Sequence, residues 1–211
     1  MSAQPARDCA LCPRLSGFRV ANHAKFPGWF NAPVPCFGPE NARLLVVGLA
    51  PGLRGANRTG RPFTGDFAGH LLYATLLKYG LATGIYAERP DDGLELRDCR
   101  IINAVRCVPP ENRPLPAEIA ACNGFLARDI AAMTQLRGIL ALGGIAHQAT
   151  LRAFGLKQSH AKFSHGAMTE LPGGILLADS FHVSRLNTNT GRLTAAMFES
   201  VVGALLARIA A

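Results

Sequence analysis

Residues 42–66 read ARLLVVGLAPGLRGANRTGRPFTGD. The apolar run Leu44–Val47 stops at Gly48. Five glycines, three arginines (Arg54, Arg58, Arg61) and a terminal acid, Asp66, follow. An apolar run without alternation is the pattern of a strand covered on both faces, as in a parallel sheet. The loop after it is no Walker A motif, because G-x-x-x-x-G-K-[ST] has no match, and G-x-G-x-x-G is also absent. It offers backbone N–H groups at Gly48–Gly52, an aromatic ring at Phe63 and a carboxylate at Asp66. These suit a pocket for a planar, uncharged ring. Arg58, Arg61 and Thr64 would grip phosphate beside it.

Three further apolar runs repeat the theme, near 99–105 (CRIINAV), 138–143 (GILALG) and 174–180 (GILLADS). Stretches with helical spacing lie between and after them, at 69–82, 115–133, 145–155 and 194–210. Pro116 stands in a first turn and Thr194 at an N-cap position. The alternation predicts βαβ units, an α/β fold whose parallel sheet is flanked by helices. A single domain over 1–211 is expected. Its first 40 residues, with prolines at 27, 33, 35 and 39, read as an irregular lead-in that carries the first cysteine pair.

In such sheets ligands sit beyond the carboxyl ends of the strands. Asn103 ends the second strand. Its amide matches the N3–H and O4 edge of uracil and mismatches cytosine; a strand-capping role is the alternative. His182 and Ser184 follow the fourth strand, where they suit a carbonyl oxygen and a phosphate, although a lone histidine is more often structural. The remaining histidines read as structural.

The chain has 211 residues, 49% hydrophobic and 17% charged, with a formal net charge of +8. A basic excess of this size suits a polyanionic partner, nucleic acid first. No apolar run approaches the roughly 18 residues of a membrane span, and the N-terminus lacks the apolar region of a secretory signal. A cytoplasmic, reducing setting is expected, where six cysteines point to a metal, a cluster or inert thiols before disulfides. Cys9 and Cys12 form C-x2-C, and Cys107 and Cys122 are a second, wider pair. Four such thiolates can hold structural zinc or a [4Fe–4S] cluster. Cys99, at a strand start, reads as an inert thiol.

GLAPG with NRTGRPFTGD, then NAVRC with Cys122, then HVS-x-x-NTNTGRLT, resemble the type-5 uracil-DNA glycosylases, the iron–sulfur class of the uracil-DNA glycosylase superfamily. The likeness runs from Cys9 to Thr194. It implies a three-layer α/β/α fold with a four-stranded parallel sheet, a [4Fe–4S] cluster on Cys9, Cys12, Cys107 and Cys122, and hydrolytic removal of uracil and other deaminated bases from double-stranded DNA without a lyase step. It makes Gly48, Ala50 and Pro51 the floor under the base, Phe63 its stacking face, Asn103 its reader and His182 a donor to O2. Arg54, Arg58, Arg61, Thr64, Arg106, Arg113, Ser184, Arg185 and Arg192 would contact phosphate. Related classes carry a polar residue just after the strand-ending glycine; here Leu49-Ala50-Pro51 supply none. Asp66 is the nearest acid, read as the base or stabiliser of the sugar cation, with a helix N-cap as the alternative. The apolar floor at Ala50 suggests room for hypoxanthine. Val183 stands where the superfamily commonly has proline, and Leu186 reads as a base-stack wedge or a core residue. A monomer associated with the nucleoid through DNA is expected. The rival readings are a glycosylase mainly for hypoxanthine or other damaged bases, and a non-catalytic nucleic-acid-binding module with a structural metal.

Overall fold

A computed structural model describes residues 4–210, so the outermost ends of the expected domain lie outside it. The helices are α1 (Pro13–Lys25), α2 (Ala56–Thr59), α3 (Phe67–Lys78), α4 (Pro116–Ala132), α5 (Gly144–Ala153), α6 (Arg185–Asn189) and α7 (Ala195–Ile209). The strands are β1 (Leu44–Gly48), β2 (Ala82–Thr83), β3 (Glu95–Leu96), β4 (Cys99–Asn103), β5 (Gly138–Leu142), β6 (Met168–Leu171) and β7 (Ile175–Ser180).

The main sheet runs β4-β1-β5-β7-β6. Its first four strands are parallel, and they are the four apolar runs of the sequence. Every residue of β1 and β5 is buried. Strand alternation sorts their side chains into two cores. Leu44, Val46, Leu140 and Leu142 pack with α3 and α7, whereas Leu45, Val47, Ile139 and Ala141 pack with α4 and α5. This is the three-layer α/β/α sandwich. Thr194 caps α7 by accepting from the Met197 amide at 3.2 Å, and Pro116 occupies the first turn of α4.

Two expectations need correction. The sheet has five strands, because β6 adds an antiparallel edge beside β7. Gly173 and Gly174, at φ +83° and +71°, turn the chain back on itself, a backbone conformation that glycine adopts without a Cβ penalty. The segment 13–40 is also not irregular throughout, since Pro13–Lys25 is helical. The buried face of α1 consists of Leu15, Arg19 and Asn22. Two of those three are polar, so no apolar periodicity announces the helix.

The chain leaves β1 toward β4 on one side and later returns to β5 on the other. The carboxyl end of β1 is therefore the topological switch point, where this architecture opens a crevice. Gly48 and Asn103 stand opposite each other in the register there.

Candidate active site

A cavity of about 430 Å³ opens at that point. Leu49, Ala50, Pro51 and Gly52 line one wall, together with Ala56, Phe63, Asp66, Asn103, Asn112 and His182. Ser184 and Arg185 stand at its edge.

Glycine is required at Gly48 by crowding. An added Cβ would run into Asn103 Oδ1 and lie 2.6 Å from the Phe63 ring. Amides of Ala104 and Val105 donate to the carbonyls of Gly48 and Leu49 at 2.9 and 3.0 Å, locking the two strand exits together. Asn103 is buried, and its Oδ1 has no hydrogen-bond partner among the described residues. A buried acceptor left unmatched costs roughly 1–3 kcal/mol, so its natural partner is a ligand donor.

Phe63 holds φ at +52°, a strained value for a residue with a Cβ. The surrounding strap fixes it. Tyr73 Oη donates to Pro62 O at 2.5 Å and Tyr86 Oη donates to Phe63 O at 3.0 Å. The Arg61 guanidinium pairs in bidentate fashion with Asp92 at 2.8 Å, and its Nε donates to Thr64 Oγ1.

Asp66 occupies the N-cap position of α3, yet its carboxylate makes no capping hydrogen bond. Oδ1 is buried without a partner. Burial raises its pKa; the amides of Gly69 and Ala68 at the helix start and the His70 ring pull it back down, and burial prevails. Its Oδ2 lies against two more glycines. A Cβ on Gly52 would stand 3.1 Å away, and one on Gly55 would strike it.

His182 is driven down to a pKa of about 4 by burial, so its imidazole is neutral across the physiological range. Its ring centroid lies 6.3 Å from that of Phe63. Asn187 Nδ2 donates to its carbonyl at 2.8 Å, and Val183 is fully buried in the core. The pose that proline would stiffen is thus held by packing. Ser184 caps the short α6 by accepting from the Asn187 amide.

The second pair of features concerns sulfur. Cys9, Cys12, Cys107 and Cys122 ring a small apolar hollow with Leu15, Val105 and Phe125. Burial raises the pKa of Cys12 and Cys107, and lifts Cys122 to about 11. Arg19 donates to Cys107 Sγ at 3.2 Å and the Arg106 amide to Cys122 Sγ at 3.4 Å. Among the described residues no three His, Cys, Asp or Glu side chains are grouped to hold a metal ion, so the thiols surround a space rather than converge on a point. Cys36 lies apart and accepts from Gln4 and Arg106. Cys99 is fully buried, and burial raises its pKa, as befits an inert thiol.

A sequence model of the Uracil DNA glycosylase superfamily matches residues 35–206. The chain belongs to that superfamily. Within it, a type-5 uracil-DNA glycosylase of Thermus thermophilus is 46% identical over 199 residues, covering 92% of this chain and 90% of the relative. One from Mycobacterium bovis is 42% identical over 202 residues, covering 92% and 75%. A type-4 uracil-DNA glycosylase of Archaeoglobus fulgidus is 35% identical over 125 residues, covering 59% and 55%. The two type-5 relatives thus match over 92% of this chain and the type-4 relative over 59%.

Set against the superfamily motifs, several expected phosphate contacts are misplaced. Arg61 and Thr64 are buried and bound to each other and to Asp92. Arg106 is fully buried against Asp129, Val34 and Cys36. None of the three presents its polar group at the surface. Arg54, Arg58, Arg113, Arg185 and Arg192 are exposed. Leu186 is 72% exposed, which removes the core reading. Asn112 lines the cavity and was not anticipated. It is carried there by a 3-10 turn in which Glu111 and Asn112 both take positive φ, at +55° and +56°. Its Pro-Pro-Glu-Asn context marks a turn, but not which way the side chain faces.

Proposed function

We propose that this chain is a monofunctional DNA glycosylase that hydrolyses the N-glycosidic bond of uracil, and of other deaminated bases, in double-stranded DNA. The observation that carries the reading is the pair of buried, partnerless acceptors, Asn103 Oδ1 and Asp66 Oδ1, at one cavity. One is suited to a base edge and the other to a developing cation or its water.

The target nucleotide is rotated out of the duplex, at an unstacking cost of a few kcal/mol. Leu186, exposed beside the cavity, fills the gap in the stack. Arg58 and Arg185 hold phosphates, with Ser184 beside them. The base lies on Phe63 over the floor of Gly48, Ala50 and Pro51. Asn103 Oδ1 accepts from N3–H while Nδ2 donates to O4. Cytosine presents a lone pair at N3 and a donor at N4, so both contacts turn repulsive. As the C1′–N1 bond breaks, electrons pass to the base and the sugar becomes oxocarbenium-like. Neutral His182 donates a hydrogen bond to O2 and stabilises the departing anion. Asp66 stabilises the sugar cation and takes a proton from the attacking water, whose oxygen bonds to C1′. Asn112, at the same cavity, completes the polar set that orients that water. Uracil and an abasic site are the products. No lysine lines the cavity, consistent with simple hydrolysis.

Cys9, Cys12, Cys107 and Cys122 fit a [4Fe–4S] cluster: four thiols round a dry hollow, with N–H donors to two sulfurs. A bound cluster would cross-link the N-terminal turn to the β4 exit and α4. Visible absorbance with matching iron and sulfide supports it, whereas stoichiometric zinc in a colourless protein overturns it. The protein works as a monomer on chromosomal DNA in a reducing cytoplasm; no helix among the described residues is long and apolar enough to cross a membrane.

The deciding experiment is excision from labelled duplexes carrying one uracil, hypoxanthine or cytosine, read as alkali-sensitive sites. Uracil is cut fastest and cytosine is not cut. Hypoxanthine is accepted because Ala50 offers no side chain large enough to exclude it. A chain that binds these duplexes and cuts none is a binding module, and the reading fails.

A further inference from the structure

The turn Phe26–Asn31 lies outside the base cavity and has no part in the reaction above. It is built with care. Phe26 and Trp29 stack with ring centroids 4.0 Å apart and planes 8° from parallel. Asn31, at φ +44°, donates from Nδ2 to the carbonyl of Phe26 at 2.7 Å. The turn is stitched to α2. Amides of Phe30 and Asn31 donate to the carbonyls of Arg58 and Asn57, each at 3.0 Å, and Asn57 Nδ2 donates to Asn31 Oδ1 at 2.9 Å. Gly60 is left without a side chain at φ +78°, where a Cβ would stand 2.7 Å from the Phe30 ring.

The result is a trough of about 490 Å³ lined by Trp29, Phe30, Arg58, Thr59 and Arg89. Cations lie over two rings of the turn, of which Phe30 lines the trough and Phe26 stacks behind Trp29. Arg7 sits 4.8 Å from the Phe30 centroid and Lys25 5.4 Å from that of Phe26. Glu88 is the acid among the lining residues, and His70 engages it at 3.1 Å. Arg89 is itself paired with Asp91. Arg58 is exposed.

We propose that this trough is a second DNA-binding surface, on which a nucleotide flanking the extruded base stacks against Trp29 while Arg58 holds its phosphate. The proposal rests on the glycosylase reading. Two observations favour a DNA strand as occupant. Aromatic faces interleaved with cations are how proteins hold unpaired or frayed strands. The trough also shares a wall element with the base cavity, because α2 presents Ala56 to one and Arg58 and Thr59 to the other. That helix is a single turn, about 5.4 Å of rise, or roughly one to two nucleotide steps at 3.4 Å.

Trp29 is the chain's sole tryptophan, so it reports on itself. The full-length protein is titrated with a duplex carrying 2′-fluorodeoxyuridine, which resists excision. A mobility shift fixes saturation. Trp29 emission is expected to be quenched, and the quenching to vanish when the duplex is cut back until no nucleotide remains on the trough side of the lesion, each side being tested in turn. Trp29→Ala is expected to raise Kd several-fold on the long duplex and not on the shortened one, with Trp29→Phe largely restoring it. Unchanged emission at saturation, or an equal loss of affinity on both duplexes, overturns the proposal. If Trp29→Ala does not fold, the wild-type emission decides alone. Wild-type protein that excises uracil while Trp29 stays silent sinks this proposal only. Failure to excise uracil at all sinks the glycosylase reading.

Discussion

At the scale of single residues, Asp66 carries the sharpest consequence. It stands where a helix cap belongs and does not cap. Removing it costs α3 no capping hydrogen bond, only the weaker pull between the carboxylate and the Ala68 and Gly69 amides, so the main damage should fall on the chemistry. Asp66→Asn is expected to slow single-turnover excision of uracil by about 10²–10⁴-fold. Affinity for DNA should stay within a few-fold, measured on the same duplex. The active form is the carboxylate, and burial raises its pKa, so the rate should fall as pH drops through a value above the ordinary carboxylate range. A pH–rate profile checks the sign, and the acid limb should vanish in Asp66→Asn. Much of this site was legible in the sequence because its residues terminate apolar runs. Asn103 ends β4 and His182 follows β7, and a run's end is visible without a structure. Arg61 and Arg106 were not legible. A charge in a sequence reads as surface, and their partners, Asp92 and Asp129, lie 31 and 23 residues away along the chain.

At the scale of elements, the pocket depends on loops whose bulk is missing on purpose. Gly55 stands where a Cβ would strike Asp66 Oδ2. Gly55→Ala is expected to displace that carboxylate and reproduce much of the Asp66→Asn defect, at a stability cost of about 1–3 kcal/mol from overpacking. Single-turnover kinetics and a thermal melt separate the two effects. The Arg61–Asp92 pair braces the strap that holds Phe63. Both side chains are nearly fully buried. Burial raises the Asp92 pKa, but Arg61 and the amides of Ala87 and Leu94 more than offset it and hold the group well below the usual carboxylate range. Arg61→Met should thus cost about 3–5 kcal/mol by stranding Asp92. The melt should shift down while the salt slope of DNA binding stays unchanged, as a buried brace requires and a phosphate contact forbids. The four core strands were readable because each is apolar on both faces. Strand β6, Met168–Leu171, was not, since an edge strand with mixed polarity leaves neither alternation nor an apolar run.

At the scale of the whole molecule, two cores flank one sheet, and the cysteine ring joins a third, smaller cluster to it. Arg14 on α1 grips Glu118 on α4 with two hydrogen bonds at 2.7 Å, so the N-terminal helix is tied to the sandwich by polar contacts and by whatever the thiols bind. Cys122→Ser is expected to abolish the visible absorbance and to raise hydrogen exchange in residues 9–25, while the amides of β1 and β5 keep their protection. Mass spectrometry of exchanged peptides reads both regions at once. The ring also has a history in time. Cys9 and Cys12 leave the ribosome about 95 residues before Cys107, an interval on the order of 5–20 s at common elongation rates. Through that interval the two thiols wait for the second pair. On the cluster reading, all four thiols have emerged by Cys122, before β5 and β7 are made, so insertion and the closing of the sheet compete in time. On that reading iron supply would govern how quickly a nascent chain matures, and a shortage would accumulate molecules whose sheet is finished while residues 9–25 are held by their polar contacts alone.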